Sequence, residues 1–447
     1  MPFRMPMKRF VIGLLICLII VPALAGQNKT CRVESRALPE QEKWDSMFTA
    51  LLAASDGRVY IGLNCHGQGA NVAVYDPATD SLRLLGDMQE LSGEKNLGRE
   101  PQAKVHTQIC EGSDGKIYFA THLSAWFNFA KISEAEGLPG GHWVVYDPKT
   151  DHLTDLGVGL PRNGIITMTM DQKRERLYGL TYPMGHFIYY DIKSKVTVDM
   201  GVVQNWASVS RVLVTDDRGR VYGFYNDGRI WRYDPDGDRV YNLVTQMPLR
   251  TPGIPIFRSF YETEHGMMGV AKSPDGKKWY GLETESSYLF EYDPYQGDEG
   301  RTTLLTQLTP DRYVGKRNVP YAMLAFCKDS NDVFYHAANT QLGDEPQGTY
   351  WGEGYGSAMV TYNLKTGKRD DRGVIVAEDN RQVMTPTAAS CGPDGTVYFM
   401  AFVNEKGAGP QKSASVADLV LERKAGTAQR GKDYNLRLCI YRPNSPR

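Results

Sequence analysis

The chain has 447 residues and no surplus of charge: 51 Lys and Arg stand against 52 Asp and Glu, a formal net charge of −1. That balance excludes a polybasic nucleic-acid binder and a highly charged disordered chain. Cysteine is scarce, seven in all. Setting aside Cys17, which lies in an N-terminal apolar stretch, leaves Cys31, Cys65, Cys110, Cys327, Cys391 and Cys439. An even set permits pairing in an oxidising compartment but is too sparse to be a disulfide scaffold. Beyond the N-terminus no apolar run reaches the ~18 residues of a membrane span. The chain also lacks a Walker loop, a G-x-S-x-G elbow, an H-E-x-x-H helix and a haem-attachment C-x-x-C-H, which removes the commonest nucleotide, serine-hydrolase and zinc-protease readings.

The N-terminus reads as a targeting segment. Arg4, Lys8 and Arg9 precede a short apolar stretch over residues 10–24, which ends Ala23-Leu24-Ala25 before Gly26. Residues 1–25 are therefore expected to be a secretory signal with a small-x-small cleavage site, and the mature chain to be secreted or periplasmic. Cys17 follows Ile16 without the small residues of a lipoprotein site, so soluble export is expected over a lipid anchor; an uncleaved N-terminal anchor is the other reading.

What the chain has in abundance is Gly, Tyr and Pro, at 45, 26 and 24 residues, the makings of many strands and turns. A strand–turn–strand unit recurs through it, its turn often Asp-Gly and its second strand carrying Tyr, at residues 55–63, 113–121, 173–181, 217–225, 274–282, 330–338 and 393–401. Each unit is followed by a strand ending in Tyr-Asp-Pro or a relative: Tyr75-Asp76-Pro77, Tyr146-Asp147-Pro148, Tyr190-Asp191, Tyr233-Asp234-Pro235, Tyr292-Asp293-Pro294, Tyr362-Asn363 and Tyr441-Arg442-Pro443. Asp-Gly supplies a positive φ at a hairpin, and Pro ends a strand where a turn begins. A four-stranded unit cannot bury both faces alone, but seven stacked radially can. The expected fold is all-β, a single seven-bladed β-propeller over residues 26–447. Its C-terminal strand belongs to the last blade, and the segment 31–38 is expected to complete that blade and close the ring.

Antiparallel strands bring the start of the first strand, the end of the second and the start of the third to one face of each blade. There the repeat places His106, Arg211, His265 and Tyr321, then His66, His122, Tyr182 and Asn226, then His142 and His186. Six of the eight histidines fall on this rim, where even spreading would give roughly two. A single His there is most simply a plug of the channel mouth; the concentration argues for a site. Most of it lies in one arc, with His106, His122 and His142 from the second blade, Tyr182 and His186 from the third and Arg211 from the fourth. Two long insertions overhang the same face, residues 123–141 with Trp126, Phe127 and Phe129, and residues 340–356 with Tyr350, Trp351 and Tyr355. Such aromatics either stack on sugar rings or pack together under a loop. A third insertion, residues 404–434, is polar and Lys-rich.

Carboxylates are few on the rim, Glu283 and Glu285 being nearest, so a metal-dependent lactonase or hydrolase and a two-carboxylate glycosidase fit poorly. His, Tyr and Arg together suit β-elimination at a uronic acid. A cation neutralises the carboxylate and acidifies the proton on C5, a neutral His or a tyrosinate abstracts it, and a Tyr or His returns a proton to the O4 leaving group. Such chemistry requires no cofactor.

The run Gly141-His142-Trp143-Val144-Val145-Tyr146-Asp147-Pro148, with Ala120-Thr121-His122 and Gly179-Leu180-Thr181-Tyr182-Pro183-Met184-Gly185-His186, resembles the propeller-fold polysaccharide lyases, most nearly the seven-bladed ulvan lyases. The resemblance implies a secreted enzyme acting on an anionic, uronate-containing and ulvan-like polysaccharide. It implies His122 as base, Tyr182 as acid, and His142 with Arg211 as the carboxylate clamp, base and acid being interchangeable. His106, His186, His265, Tyr321, Trp126 and Trp351 would contact substrate. It also implies a structural zinc in some members, for which Cys327 and Cys391 are the candidates here. The expected state is a monomer with a polysaccharide partner, no nucleic acid and no membrane span. Near-neutral net charge does not oppose an anionic substrate, since the arc carries its own positive potential. The competing functions are a non-catalytic glycan- or protein-binding propeller and a metal-dependent hydrolase or lactonase.

Overall fold

A computed structural model describes residues 29–123, 139–204, 210–225, 228–248, 267–283, 286–313, 325–340, 356–405 and 434–443. Among these, seven small sheets of four or five strands form the seven blades of a β-propeller. In chain order the blades occupy residues 51–87, 104–158, 164–202, 214–246, 267–307, 326–376 and 383–441. No helix among the described residues is long and apolar enough to cross a membrane.

The two repeated signatures are the two turns of a blade. In the first, Ala54 N–H donates to Arg58 O at 2.9 Å and Gly57 N–H to Ala54 O at 3.1 Å, with Gly57 at φ 83°. This is a hairpin turn whose left-handed position suits glycine. The Tyr of the following strand reaches back to the turn: Tyr60 Oη donates to Asp56 Oδ2 at 2.7 Å, and Tyr222 Oη to Asp216 Oδ2 at 2.9 Å. In the second turn of three blades the Tyr of Tyr-Asp-Pro bonds an Asp five residues on. Tyr75 donates to Asp80 at 2.8 Å, Tyr146 to Asp151 at 2.7 Å and Tyr233 to Asp238 at 2.7 Å. Those aspartates sit at φ 51°, 53° and 48°, a conformation Asp tolerates better than most residues. Each Tyr thus buries its ring between blades and pins a turn with its hydroxyl.

The core lies between blades rather than within them. The buried side chains divide into seven clusters, one at each boundary between neighbouring blades. At the boundary of the third and fourth blades, for example, Ile166, Tyr178, Phe187, Leu213, Trp231 and Tyr233 interlock.

The ring closes through the N-terminal segment. Glu34–Ala37 pairs antiparallel with Tyr434–Tyr441 as the outer strand of the seventh blade. The preceding Thr30–Arg32 pairs in parallel with Lys368–Val376 of the sixth blade. Segment 31–38 therefore bridges two blades, where the sequence suggested one. Val33 is the crossing point: its N–H donates to Val376 O at 3.0 Å while its side chain is buried in the core between the sixth and seventh blades. Glu378 secures the crossing, accepting from Ser35 N at 2.6 Å and Ser35 Oγ at 2.9 Å. A chain beginning at residue 38 should unfold at least about 3 kcal/mol less stably than one beginning at residue 29, because Cys31 and Val33 lose their burial. Urea titration followed by tryptophan fluorescence checks this.

Candidate functional site

The inner strand of the second blade is broken. Lys104–Val105 and Cys110–Glu111 both pair with Ile117–His122, leaving residues 106–109 between them. His106 thus lies in a break inside the strand, not before it as the sequence suggested. The Thr107 hydroxyl bridges the gap, accepting from Ala120 N–H at 3.0 Å. The break turns His106 onto Phe48, stacked at 4.4 Å between centroids, and sets its Nδ1 at 2.8 Å from Ile166 O of the third blade. A carbonyl only accepts, so Nδ1 carries the proton and Nε2 keeps its lone pair.

Three rings meet here in series. His106 and His122 stand edge to face at 5.6 Å, as do His122 and Tyr182 at 5.6 Å. His122 and Tyr182 end the second strands of neighbouring blades, so they occupy equivalent positions one blade apart. Gly164 lies between them: it pairs with Tyr182 across the ladder, and a Cβ on it would fall 1.8 Å from His122 Nδ1. That nitrogen is buried without a hydrogen-bond partner.

The electrostatics are one-sided. Burial holds the His122 imidazole well below its ordinary range, and Lys104, His106 and Arg211 push it further. Burial does the same to His106, with Arg211 and Lys104 adding. Burial raises Tyr182 above the usual phenol range, only partly offset by Arg211. Lys104 is the direct ladder neighbour of His122 and is itself buried. The arc therefore holds two neutral imidazoles and a protonated phenol beside two cations. Among the described residues, no carboxylate is among the groups that act most strongly on the three rings.

The other rim histidines serve differently. His142 Nδ1 lies 2.9 Å from Asp155 Oδ1, and its Nε2 lies 3.5 Å from Glu94 Oε1. Burial opposes its charge, yet Asp155 and Glu94 together raise it to about 9. Both nitrogens of His142, a clamp candidate from the resemblance, are turned to carboxylates. His186 repeats the arrangement one blade on, Nδ1 at 2.9 Å from Asp199 Oδ1. In both blades the backbone N–H of the His donates to a threonine hydroxyl, His142 to Thr121 at 2.8 Å and His186 to Thr181 at 3.0 Å. Those threonines immediately precede His122 and Tyr182. Thr121 in turn donates to Gln102 Oε1 at 2.6 Å, and Gln102 Nε2 donates to Glu94 Oε2 at 2.9 Å. His142 and His186 are thus the struts that fix the strand ends bearing His122 and Tyr182. His66 is likewise engaged, its Nδ1 at 2.9 Å from Asp45.

His265, Tyr321, Trp126 and Trp351 lie outside the described residues. Sequence reasoning missed Lys104, Gly164 and the strut carboxylates. The struts did leave a signal: His142 precedes Asp155-Leu156-Gly157, and His186 precedes Asp199-Met200-Gly201, at the same spacing.

Cys327 and Cys391 are brought together, their sulfurs 2.9 Å apart. A tetrahedral zinc holds two thiolates roughly 3.8 Å apart, and no group of three or more His, Cys, Asp or Glu able to hold a metal occurs among the described residues. The pair does not fit the zinc site that the resemblance suggested. A cavity of about 650 Å³ opens at the Asp-Gly end of the channel, lined by Gln108, Met168, Met170, Thr215 and Lys272. It is separate from the three rings. Gln108 stands between, its Oε1 accepting from Thr167 Oγ1 at 3.3 Å and Leu213 N at 3.4 Å.

No family model and no curated protein matches the chain. Among solved structures, one from the crystal structure of a mitotic checkpoint complex is similar at 12% identity and a TM-score of 0.48, covering 100% of both chains. A putative 6-phosphogluconolactonase from Bacteroides uniformis is similar at 13% identity and a TM-score of 0.46, covering 76% of this chain and 86% of that one.

Two outcomes test this geometry. Gly164→Ala should displace the His122 ring while leaving the fold intact, seen as a shifted His122 side-chain NMR signal with unchanged circular dichroism. His142 should contribute roughly 3 kcal/mol through its raised pKa. That contribution is full below pH 6.5 and fades as the pH rises through about 9. His142→Gln should remove this part of the pH dependence in urea unfolding measured from pH 6 to about 10.

Proposed function

We propose that the chain is a lyase that cleaves a uronate-containing anionic polysaccharide by β-elimination on the rim formed by its second to fourth blades. The observation that carries the reading is that neutral His122 and protonated Tyr182 meet edge to face, with Lys104 and Arg211 acting on His122 and Arg211 on Tyr182. Elimination needs an uncharged base, a proton donor and a cationic receptor for the uronate, all in one place.

In this reading the uronate carboxylate meets Arg211 and Lys104, which stabilise the charge that grows on it as the C5 proton leaves. His122 takes that proton. Tyr182, kept protonated by burial, delivers one to O4 as the C4–O4 bond breaks and the C4–C5 double bond forms. His106, with its Nε2 lone pair, accepts a sugar hydroxyl or shares the base role. Lys104 replaces His142 in the clamp, and His142 and His186 become positioning residues. Ulvan-like chains are the favoured substrate, on the resemblance of residues 141–148 and 179–186 to the ulvan lyases. Export through the N-terminal signal and action as a monomer complete the proposal.

The test is absorbance near 235 nm, where an unsaturated uronate absorbs, on a panel of uronate polysaccharides with ulvan first. The wild-type chain should give a steady rise, and His122→Ala and Tyr182→Phe should each reduce it by about 10²–10⁴-fold. No rise on any substrate, with polysaccharide binding retained, would assign the rim to a binding propeller instead. The pH profile gives a separate check. With His122 held well below 6.5 and Tyr182 held above 10.0, the rate should stay flat across the neutral range instead of falling near pH 6.5.

A further inference from the structure

Four cysteines, Cys31, Cys327, Cys391 and Cys439, belong to one core, that between the sixth and seventh blades. Two of them face each other across the boundary on innermost strands. Cys327 lies in Phe326–Lys328 of the sixth blade and Cys391 in Ala389–Cys391 of the seventh. We propose that Cys327 and Cys391 form a disulfide that locks the sixth blade to the seventh, the two that the N-terminal segment bridges. The inference is independent of the reaction proposed above.

Three observations carry it. The sulfurs are already in contact at 2.9 Å, so little backbone movement is needed to bond them. The competing use of a close thiol pair, a zinc site, fails on sulfur spacing and on the lack of further ligands among the described residues. The place is also one where a cross-link matters. The sixth and seventh blades are the pair that the N-terminal segment bridges without a covalent bond to either, Thr30–Arg32 pairing with one and Glu34–Ala37 with the other. The bond would tie the inner strands of the same two blades, adding a covalent link on the channel side to the non-covalent one on the outer side.

The chemistry is a thiol–disulfide exchange with a small-molecule disulfide such as oxidised glutathione. Cys391 is half-buried and so reached first; Cys327 is buried, and burial followed by the neighbouring Cys391 raises its thiol well above the ordinary range. The Cys391 thiolate attacks the small disulfide and releases one equivalent of its thiol, leaving a mixed disulfide. Cys327, losing its proton to solvent, displaces the second equivalent. Overall two protein thiols and one small disulfide give one protein disulfide and two small thiols.

The test uses the full chain, refolded or exported under oxidising conditions and then denatured, alkylated and digested without reductant. The expected result is a chain two hydrogens lighter than its reduced form and a linked peptide pair carrying Cys327 and Cys391. Reductant should lower the melting temperature of the wild type by about 5 °C and leave Cys391→Ser unchanged. Complete alkylation of every thiol would overturn the proposal. So would a different linked pair, thiols released only by a zinc chelator, or a wild-type melting temperature indifferent to reductant.

Discussion

The structure depends on burial between blades. Each blade offers two apolar faces and covers neither by itself, so the seven cores exist only while every blade has a neighbour on both sides. The ring must therefore close, and the closing device is a short N-terminal segment whose residues divide between two blades. The same constraint makes the site. Radial stacking brings the ends of equivalent strands from adjacent blades side by side, which is how His122 and Tyr182, 60 residues apart in the chain, come to meet edge to face.

Within that frame the site is a variation on a repeated part. In the second and third blades the second strand ends on a rim residue, and a strut histidine bonded to an Asp-x-Gly bulge holds the threonine just before it. Only the rim residue differs, His in one blade and Tyr in the next. Two chemically different proton carriers are thus held by the same mechanical arrangement; burial keeps Tyr182 protonated, and burial with Lys104 and Arg211 keeps His122 neutral.

The fold was legible because its signals are local and repeated. Asp-Gly and Tyr-Asp-Pro each correspond to one turn, in several blades pinned by a Tyr hydroxyl, so seven near-copies announce seven blades. The arc of the site was legible too, since strand polarity alone puts residues 106, 122 and 182 at one end of their blades. The job of each histidine was not. His122, His142 and His186 all read as rim histidines, and what separates them is whether a carboxylate from the fourth strand meets the ring, as Asp155 and Asp199 do. Lys104 was passed over because it precedes the break in the inner strand, and that break rests on the Thr107 hydroxyl, a side-chain bond that no hydrophobic pattern records. The split of segment 31–38 between two blades was hidden for a similar reason: a three-residue parallel pairing carries no periodicity.

The central claim is that the two rim imidazoles are neutral because they are buried beside cations. A histidine titration by carbon-detected NMR on the selectively labelled full chain measures that directly, with His106→Gln and His122→Gln assigning the signals. The account predicts that both rings stay neutral well below pH 6.5, and that Arg211→Gln raises the midpoint of His122 toward the ordinary value. A His122 that titrates at 6.5 or above in the wild type would contradict it.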